Sequence, residues 1–236
     1  MADNPAPVLG AASEKGPKRP LNADAYAHHV HNGRLAVAVV DGTGSTPEVV
    51  EFAQLAAATA VRVAARRTPV WGVMAASDLN SDADGDGDGD GDPDGAIAVA
   101  RAIPGHQRWW TAWAGDCAIY RVITDGAVQR VTHPLTHGTL LRTQGASEEE
   151  ARRYDHALTH TIGRGPIDGV WALRIVSPLL VLASDGLVLP ESTMAEILTE
   201  HANDPETCAH ELLKAGRSGD DTTVVVAPHP DTLERG

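Results

Sequence analysis

Three continuous apolar segments, each with acidic residues at one end, most strongly constrain how this chain can fold. Residues 35–40 run directly into Asp41-Gly42, residues 179–183 run into Ser184-Asp185-Gly186, and residues 222–227 follow Asp220-Asp221. Apolar runs of this length that are rich in β-formers predict strands buried on both faces. If two such strands end, and a third begins, at the same edge of antiparallel sheets, the acids meet there.

A fourth acid is expected to join them through a hairpin. Asn32-Gly33 is a strong two-residue turn signal, and with this turn His31 pairs with Arg34 and Asp24 lies opposite Asp41. Opposed side chains lie about 5 Å apart at Cβ, and like charges there are destabilising. Such a cluster must take up a proton or bind a cation. Ligands that are oxygen only favour Mg²⁺ or Mn²⁺ over Zn²⁺.

The remaining patterns predict a mixture of strands and helices. One long strand is predicted over residues 109–122, with Gly115-Asp116 in its middle and residues 96–103 as its hairpin partner. A hydroxyl cap, an early proline and an acid predict a helix that begins near Thr46 and ends near Arg66 and Arg67. Further helices are predicted after Ser147 and over residues 192–201 and 205–215.

The charge of the chain argues against two classes of partner. The chain carries 32 acidic and 19 basic residues, a formal net charge of −13. This balance disfavours binding to nucleic acid or to an anionic membrane. Eight of the aspartates lie between positions 78 and 94, in a Gly-Asp tract without a basic residue. That tract has nothing apolar to bury, so we expect a disordered loop over about 78–95, inserted into a single domain that spans residues 1–236.

The sequence also indicates where the protein works. It contains no apolar run of membrane-spanning length and no signal-peptide pattern at its start. Cys117 and Cys208 form neither a disulfide framework nor a zinc motif. We therefore expect a cytoplasmic protein, and a monomer.

The acidic motifs occur in an order that resembles a known family. Along the chain they read Arg19-Pro20-Leu21-Asn22-Ala23-Asp24, Val40-Asp41-Gly42, Gly115-Asp116-Cys117-Ala118, Ser184-Asp185-Gly186 and Asp220-Asp221. This order and spacing resemble the metal-dependent serine/threonine protein phosphatases (the PPM or type 2C group) in their compact bacterial form. The resemblance covers nearly the whole chain. None of the motifs is specific when taken alone.

The resemblance implies a fold and a metal centre. The fold is α+β, a central sandwich of two antiparallel β-sheets flanked by helices, with a two-metal site at one edge. Asp41 is expected to bridge two Mn²⁺ or Mg²⁺ ions. The implied ligands of the first ion are Asp185 and Asp220. Those of the second are Asp24 and the backbone carbonyl of Gly42. Asp116 corresponds to a residue that serves a third, weaker metal.

The resemblance also implies a reaction. Arg19 is expected to bind the substrate phosphate, since a guanidinium matches phosphate geometry with paired hydrogen bonds. The implied enzyme is a phosphoric monoester hydrolase that removes phosphate from phosphoserine or phosphothreonine of a protein substrate, through a hydroxide that bridges the two metals.

Departures from the family pattern leave two alternatives open. Thr43 stands where animal relatives often have a histidine, the Gly-Asp-Ser-Arg motif is reduced at Cys117-Ala118, and Leu189 replaces a further acid. These changes leave the two-metal core intact but put the third metal and substrate recognition in doubt. One alternative is a pseudophosphatase that binds phosphoproteins without turnover. The other is a phosphatase for small phosphorylated metabolites.

Overall fold

The computed structural model describes residues 8–79, 92–105, 107–123 and 125–233. Its strands are β1 (Gly10–Glu14), β2 (Asp24–His31), β3 (Arg34–Gly42), β4 (Gly95–Ile103), β5 (Arg108–Ala114), β6 (Ala118–Val122), β7 (Val128–Arg130), β8 (Trp171–Val176), β9 (Leu179–Ala183) and β10 (Thr222–Pro228). Its helices are α1 (Pro47–Arg66), α2 (Pro69–Ser77), α3 (His137–Thr143), α4 (Glu148–Arg152), α5 (Gly165–Asp168), α6 (Glu191–Glu200), α7 (Pro205–Gly216) and α8 (Pro230–Leu233).

The strands form two five-stranded antiparallel sheets. The first sheet has the order β2-β3-β4-β5-β8, and the second has the order β1-β10-β9-β6-β7. Helices α1 and α2 pack on the outer face of the first sheet, and α6 and α7 pack on the second. This arrangement confirms the predicted α+β sandwich flanked by helices.

The apolar residues divide into three layers because the central strands are buried on both faces. In β3, alternate residues such as Val37 and Val39 lie between the two sheets, whereas Ala38 and Val40 pack under α1. Trp109 and Trp113 of β5 fill the space between the sheets. Successive side chains of a strand face opposite sides of the sheet, and here both sides are buried. Apolar residues therefore occupy consecutive positions in these strands, which explains the continuous apolar runs in the sequence.

The predicted hairpin is confirmed. Asn32 and Gly33 both adopt positive φ angles, 51° and 72°, as a two-residue hairpin turn requires. The register that follows pairs His31 with Arg34 and Asp24 with Asp41. Helix α1 also begins as predicted, since the Thr46 side chain accepts a hydrogen bond from the Val49 backbone N–H.

The single strand predicted over residues 109–122 is wrong. The chain instead forms β5 and β6, which belong to different sheets, and Gly115, Asp116 and Cys117 make the crossing between them. Gly115 has a φ of +88°, and a Cβ there would lie 2.4 Å from the Cβ of Ala96. The continuous apolar pattern concealed the break because both strands are buried.

The other predicted helices are present, with α6 beginning at Glu191 rather than at residue 192. The predicted loop over about 78–95 lies mostly outside the described residues, but its last residues are ordered, and β4 begins at Gly95. Several short elements were not predicted at all, namely β1, β7, β8, α2, α3, α5 and α8. No helix in the described ranges combines the length and apolar character needed to cross a bilayer.

Replacing Gly115 with alanine is expected to destabilise the protein by about 3 kcal/mol, because a left-handed conformation and a close contact combine at this position. Gly145 is a matched control, since its φ is +85° but a Cβ there meets nothing within 4 Å. Gly145→Ala should cost only about 1 kcal/mol. Urea unfolding measures both, and equal costs would contradict the proposed contact with Ala96.

Candidate active site

Two of the predicted acids lie opposite each other at the ends of neighbouring strands. Asp24 is the first residue of β2, and Asp41 is the penultimate residue of β3, its register partner. The Gly42 backbone N–H donates to the Ala23 carbonyl at 3.2 Å, which holds the two strand ends together. The sequence prediction that Asp24 and Asp41 pair is therefore confirmed.

Ser184, at the end of β9, connects this pair to the second sheet. Its hydroxyl donates to the Asp24 carboxylate at 2.7 Å and accepts a hydrogen bond from the Thr223 backbone N–H at 2.9 Å. Because Asp24 belongs to the first sheet and Ser184 follows a strand of the second, this hydrogen bond joins the two sheets at one edge. Sequence analysis assigned Ser184 no role, although it stands inside the Ser184-Asp185-Gly186 motif.

A pocket of about 450 Å³ opens at this edge. Of the predicted site residues, it is lined by Arg19, Asp41, Gly42, Asp116, Asp185 and Asp220. Asp24 does not line the pocket, and its carboxylate is turned to Ser184 instead. Strand ends and loops that are far apart in the sequence thus converge on one cavity.

Arg19 and Asp220 contact each other within this pocket. The guanidinium Nη2 donates to the Asp220 carboxylate at 2.5 Å, and both side chains are 37% exposed. Partial burial acts to raise the pKa of Asp220, but the hydrogen bonds from Arg19 and from the Asp221 backbone N–H outweigh it and hold the pKa below its usual value. The predicted phosphate ligand and a predicted metal ligand are thus partners in this structure.

Asp221 has a different function from its neighbour. Its side chain is buried, and its two carboxylate oxygens accept hydrogen bonds from the backbone N–H groups of Gly16 at 2.8 Å and Ala23 at 2.9 Å. A buried carboxylate that accepts backbone hydrogen bonds is well satisfied. Asp221 therefore fixes the chain on both sides of Arg19, whereas Asp220 faces the pocket.

Burial and neighbouring carboxylates raise the pKa of Asp24, Asp41 and Asp116. Burial, followed by the charges of Asp24, Asp185 and Asp116, raises the pKa of Asp41 well above its ordinary value. Burial raises the pKa of Asp24 to about 7, against the hydrogen bond from Ser184. Burial and the charge of Asp185 also raise the pKa of Asp116 to about 7. A cation bound beside these carboxylates would therefore lower the free energy of the site.

The donor chemistry of the pocket fits a hard divalent cation, although the ligands are not gathered around a single point. In the described part of the chain, no group of three or more His, Cys, Asp or Glu side chains is arranged so as to hold a metal ion. The pocket nevertheless presents Asp41, Asp116 and Asp185 as oxygen donors that destabilise one another when ionised. Oxygen donors of this kind suit Mg²⁺ or Mn²⁺.

Sequence analysis missed one wall of the pocket. It is formed by His156, Ala157, Leu158 and Thr161, in an irregular segment after α4. Short polar loops carry no periodic signal, so nothing in the sequence placed this segment beside the acids.

Asp94 ties this wall to the opposite one. Its carbonyl accepts from the Thr43 backbone N–H at 2.8 Å, and its carboxylate accepts from the Gly163 N–H at 2.9 Å. Asp94 lies within the segment for which a disordered loop is predicted, and the structure gives it these contacts. Its two hydrogen bonds fix the last residues of the segment against the pocket.

Comparison with known proteins identifies the fold. No protein-family model matches the sequence, and no curated protein matches it. Among solved structures, the PPM Ser-Thr phosphatase MsPP from Mycobacterium smegmatis, in complex with cacodylate, is similar with a TM-score of 0.72 and 24% sequence identity. That alignment covers 94% of this chain and 99% of MsPP.

Two further structures agree. The S. agalactiae serine/threonine phosphatase has a TM-score of 0.78 and 17% identity, with 92% of this chain and 97% of that chain covered. The catalytic domain of PstP, a Mycobacterium tuberculosis phosphatase, was solved with two manganese ions. It has a TM-score of 0.72 and 21% identity, with 93% of this chain and 96% of that chain covered. The chain therefore has the fold of the PPM serine/threonine phosphatases, which confirms the resemblance at the level of structure.

The raised pKa of Asp116 predicts a pH-dependent effect on stability in the metal-free protein. A carboxyl whose folded pKa is about 7, against about 3.8 when unfolded, stabilises the fold at low pH and loses that contribution as the pH rises towards 7. The side chain in Asp116→Asn cannot ionise. The free energy of unfolding of this variant should therefore rise by about 1 kcal/mol relative to that of wild type between pH 5.5 and pH 8, after allowance for solvent screening.

Urea unfolding in chelator at the two pH values measures this difference. Asp155→Asn is the matched control, because Arg142 lowers the pKa of Asp155. The Asp155 carboxyl is therefore ionised in both the folded and the unfolded protein from pH 5.5 to pH 8. Its cost should be equal at pH 5.5 and pH 8. If Asp116→Asn also has the same effect at both pH values, the Asp116 carboxyl is not titrating in this window.

Proposed function

We propose that this protein is a metal-dependent protein phosphatase that hydrolyses phosphoserine and phosphothreonine. The observation that carries the proposal is the convergence of Arg19, Asp41, Asp116, Asp185 and Asp220 on one pocket. The similarity in fold to PPM phosphatases supports it. We further propose that the protein acts in the cytoplasm, as a monomer.

The acids are proposed to hold two Mn²⁺ or Mg²⁺ ions. Asp41, between Asp24 and the pocket acids, would serve both ions. Asp185 and Asp220 would hold the first ion, and Asp24 and the Gly42 carbonyl would hold the second. When bound, such a pair of ions lowers the pKa of a water molecule between them and neutralises the phosphoryl oxygens.

The role of Arg19 follows from its position at the pocket. Its guanidinium carries five N–H donors in a planar fork, which can pair with two phosphate oxygens. Asp220 orients the Arg19 side chain by accepting a 2.5 Å hydrogen bond from its guanidinium. Asp221 supports the arrangement by fixing Gly16 and Ala23 on either side of Arg19. The substrate phosphate would therefore meet a guanidinium that is already positioned.

Asp116 is proposed to bind a third and weaker cation. It lines the pocket beside Asp185, whose charge contributes to its raised pKa. Leu189, the position of the missing family acid, packs against the core formed by the second sheet and its helices. With one carboxylate fewer, a third cation would be held loosely.

Asp41→Asn is expected to lower Mn²⁺-dependent hydrolysis of an aryl phosphate to below a tenth of the wild-type rate, because it removes the charge that both ions share. Urea unfolding should show that the fold is retained. Asp125→Asn, in an exposed turn, is the matched control and should keep full activity. Activity above a tenth in Asp41→Asn would refute its assignment.

The same assay separates the remaining alternatives. Wild-type activity that requires Mn²⁺ and is lost in chelator would support an enzyme, whereas phosphopeptide binding without turnover would identify a pseudophosphatase. A preference for phosphopeptides over sugar phosphates is expected. The reverse preference would identify a phosphatase for metabolites.

Arg19→Ala is expected to raise KM for a phosphopeptide about tenfold or more, because a hydrogen bond to a charged group contributes about 1.5–3 kcal/mol in the ground state. Arg19→Lys keeps a charge beside Asp220 but loses the paired geometry, so its KM should be intermediate. A large fall in kcat with KM unchanged, in both variants, would remove Arg19 from phosphate binding and assign it to the support of Asp220.

A further inference from the structure

Six arginines lie at the end of the molecule opposite the pocket. This distal arginine cluster consists of Arg34, Arg62, Arg66, Arg67, Arg101 and Arg174. Helix α1 begins beside the pocket and ends at Arg66, about 28 Å away at 1.5 Å per residue. The first sheet brings Arg101 to the same end, because its register partner in β3 is Ala36.

Contacts connect the members of the cluster. The Arg101 guanidinium donates to the Arg67 carbonyl, and the Arg66 guanidinium donates to the Arg62 carbonyl at 2.8 Å and contacts the His29 ring at 3.1 Å. Burial, followed by the charges of Arg66 and Arg62, lowers the pKa of His29. The positive field of the cluster therefore acts on its neighbours.

The cluster has no internal neutralising charge. In the described part of the chain, none of the six arginines forms an ion pair. Six of the other nine do, namely Arg19, Arg142, Arg152, Arg153, Arg164 and Arg217. Arg101 is only 7% exposed, and its Nε has no hydrogen-bond partner. A buried guanidinium without an acidic partner is unfavourable, and it is unexpected in a chain whose net charge is −13.

The Trp110 ring contacts two of these guanidinium groups. The guanidinium carbons of Arg101 and Arg174 lie 4.7 Å and 4.5 Å from its ring centroid. Trp110 and Arg174 line a cavity of about 440 Å³ together with Pro69, Val70 and Leu173. The cavity therefore combines apolar walls with a positive rim.

The cavity lies beside an open sheet edge. Strand β8 is the last strand of the first sheet, and all of its residues except Ile175 are exposed. Its apolar side chains Trp171, Leu173 and Val176 are 47%, 46% and 57% exposed. Natural edge strands are usually protected by lysine, proline or a covering element, and this strand contains neither residue.

We propose that an extended acidic segment of a partner protein adds to β8 as a sixth strand, with its acidic side chains at Arg174, Arg101 and Arg67, the members of the distal arginine cluster nearest to β8. In such a strand, alternate side chains face the same side of the sheet as Arg174 and Trp110. Acidic residues at every second position would meet Arg174 and its neighbours, and the apolar residues between them would face the other side of the sheet, with Trp171. The cavity and the pocket share no lining residue, so the proposal does not depend on the catalytic one.

Charge favours an acidic peptide over a second copy of the chain and over a nucleic acid as the occupant of this surface. An antiparallel pairing of β8 with β8 of a second copy would oppose two unpaired arginine clusters. A nucleic acid carries charge along its whole length and would meet the acidic remainder of the molecule. A short acidic peptide avoids both penalties, and its main chain satisfies the open edge of β8.

The proposal is tested with a fluorescein-labelled peptide of eight alternating Glu and Val residues and the full chain, by fluorescence anisotropy. We expect saturable, salt-sensitive binding that Arg174→Glu weakens at least tenfold. Arg153→Glu, an equal charge change on α4, should alter binding by less than twofold. Arg67→Glu provides a second variant in case Arg174→Glu does not fold, and urea unfolding checks both.

Two peptide controls test the strand geometry. A version N-methylated at alternate residues cannot form the ladder and should bind at least tenfold more weakly, and a Lys-Val version should not bind. Hydrogen exchange should show protection of residues 171–176 by the acidic peptide. Absence of binding, or equal losses in Arg174→Glu and Arg153→Glu, would overturn the proposal.

Two further results would assign the surface to another occupant and also overturn the proposal. One is tighter binding of single-stranded oligothymidine than of the acidic peptide. The other is a dimer in wild type, seen by light scattering, that Arg174→Glu abolishes.

Discussion

The hydrogen bond from Ser184 to Asp24 is the contact on which the geometry of the pocket depends. It joins the end of β9 to the start of β2, and through the Thr223 N–H it also involves β10. Two sheets that pack only through apolar side chains can slide relative to each other at low cost, since dispersion contacts are not directional. A short, buried polar bond between their edges removes that freedom. It sets the position of Asp24 and Asp41 relative to Asp185.

Three acids close together in the sequence or in space have separate functions because their surroundings differ. Asp221 is buried against two backbone N–H groups and acts as a structural clamp. Asp220, one residue earlier, is half exposed and pairs with Arg19. Asp41 has neither compensation, so burial and neighbouring carboxylates raise its pKa. The fold thus concentrates unbalanced negative charge at one position, where a bound cation would lower the free energy most.

Charge is also distributed unevenly over the whole molecule. The pocket end gathers acids, whereas the distal end gathers arginines that have no acidic partner in the described residues. Helix α1 spans the distance between them, and its dipole has its positive end beside the pocket. A divalent cation and an acidic partner would therefore be directed to opposite ends of the molecule, which keeps the two surfaces from competing.

The sequence by itself determined the buried strands, the Asn32-Gly33 hairpin and hence the Asp24–Asp41 pairing, because these depend on local periodicity and turn geometry. The order of the acidic motifs predicted the fold, because it resembles that of the PPM phosphatases. Only the tertiary structure decided that residues 109–122 divide between two sheets, since a chain buried on both faces shows no break in its apolar pattern. It alone brought Ser184 to Asp24, Asp94 to Thr43 and Gly163, and Arg174 to Trp110. These are contacts between residues far apart in the sequence, and local patterns carry no information about which distant strands and loops become neighbours.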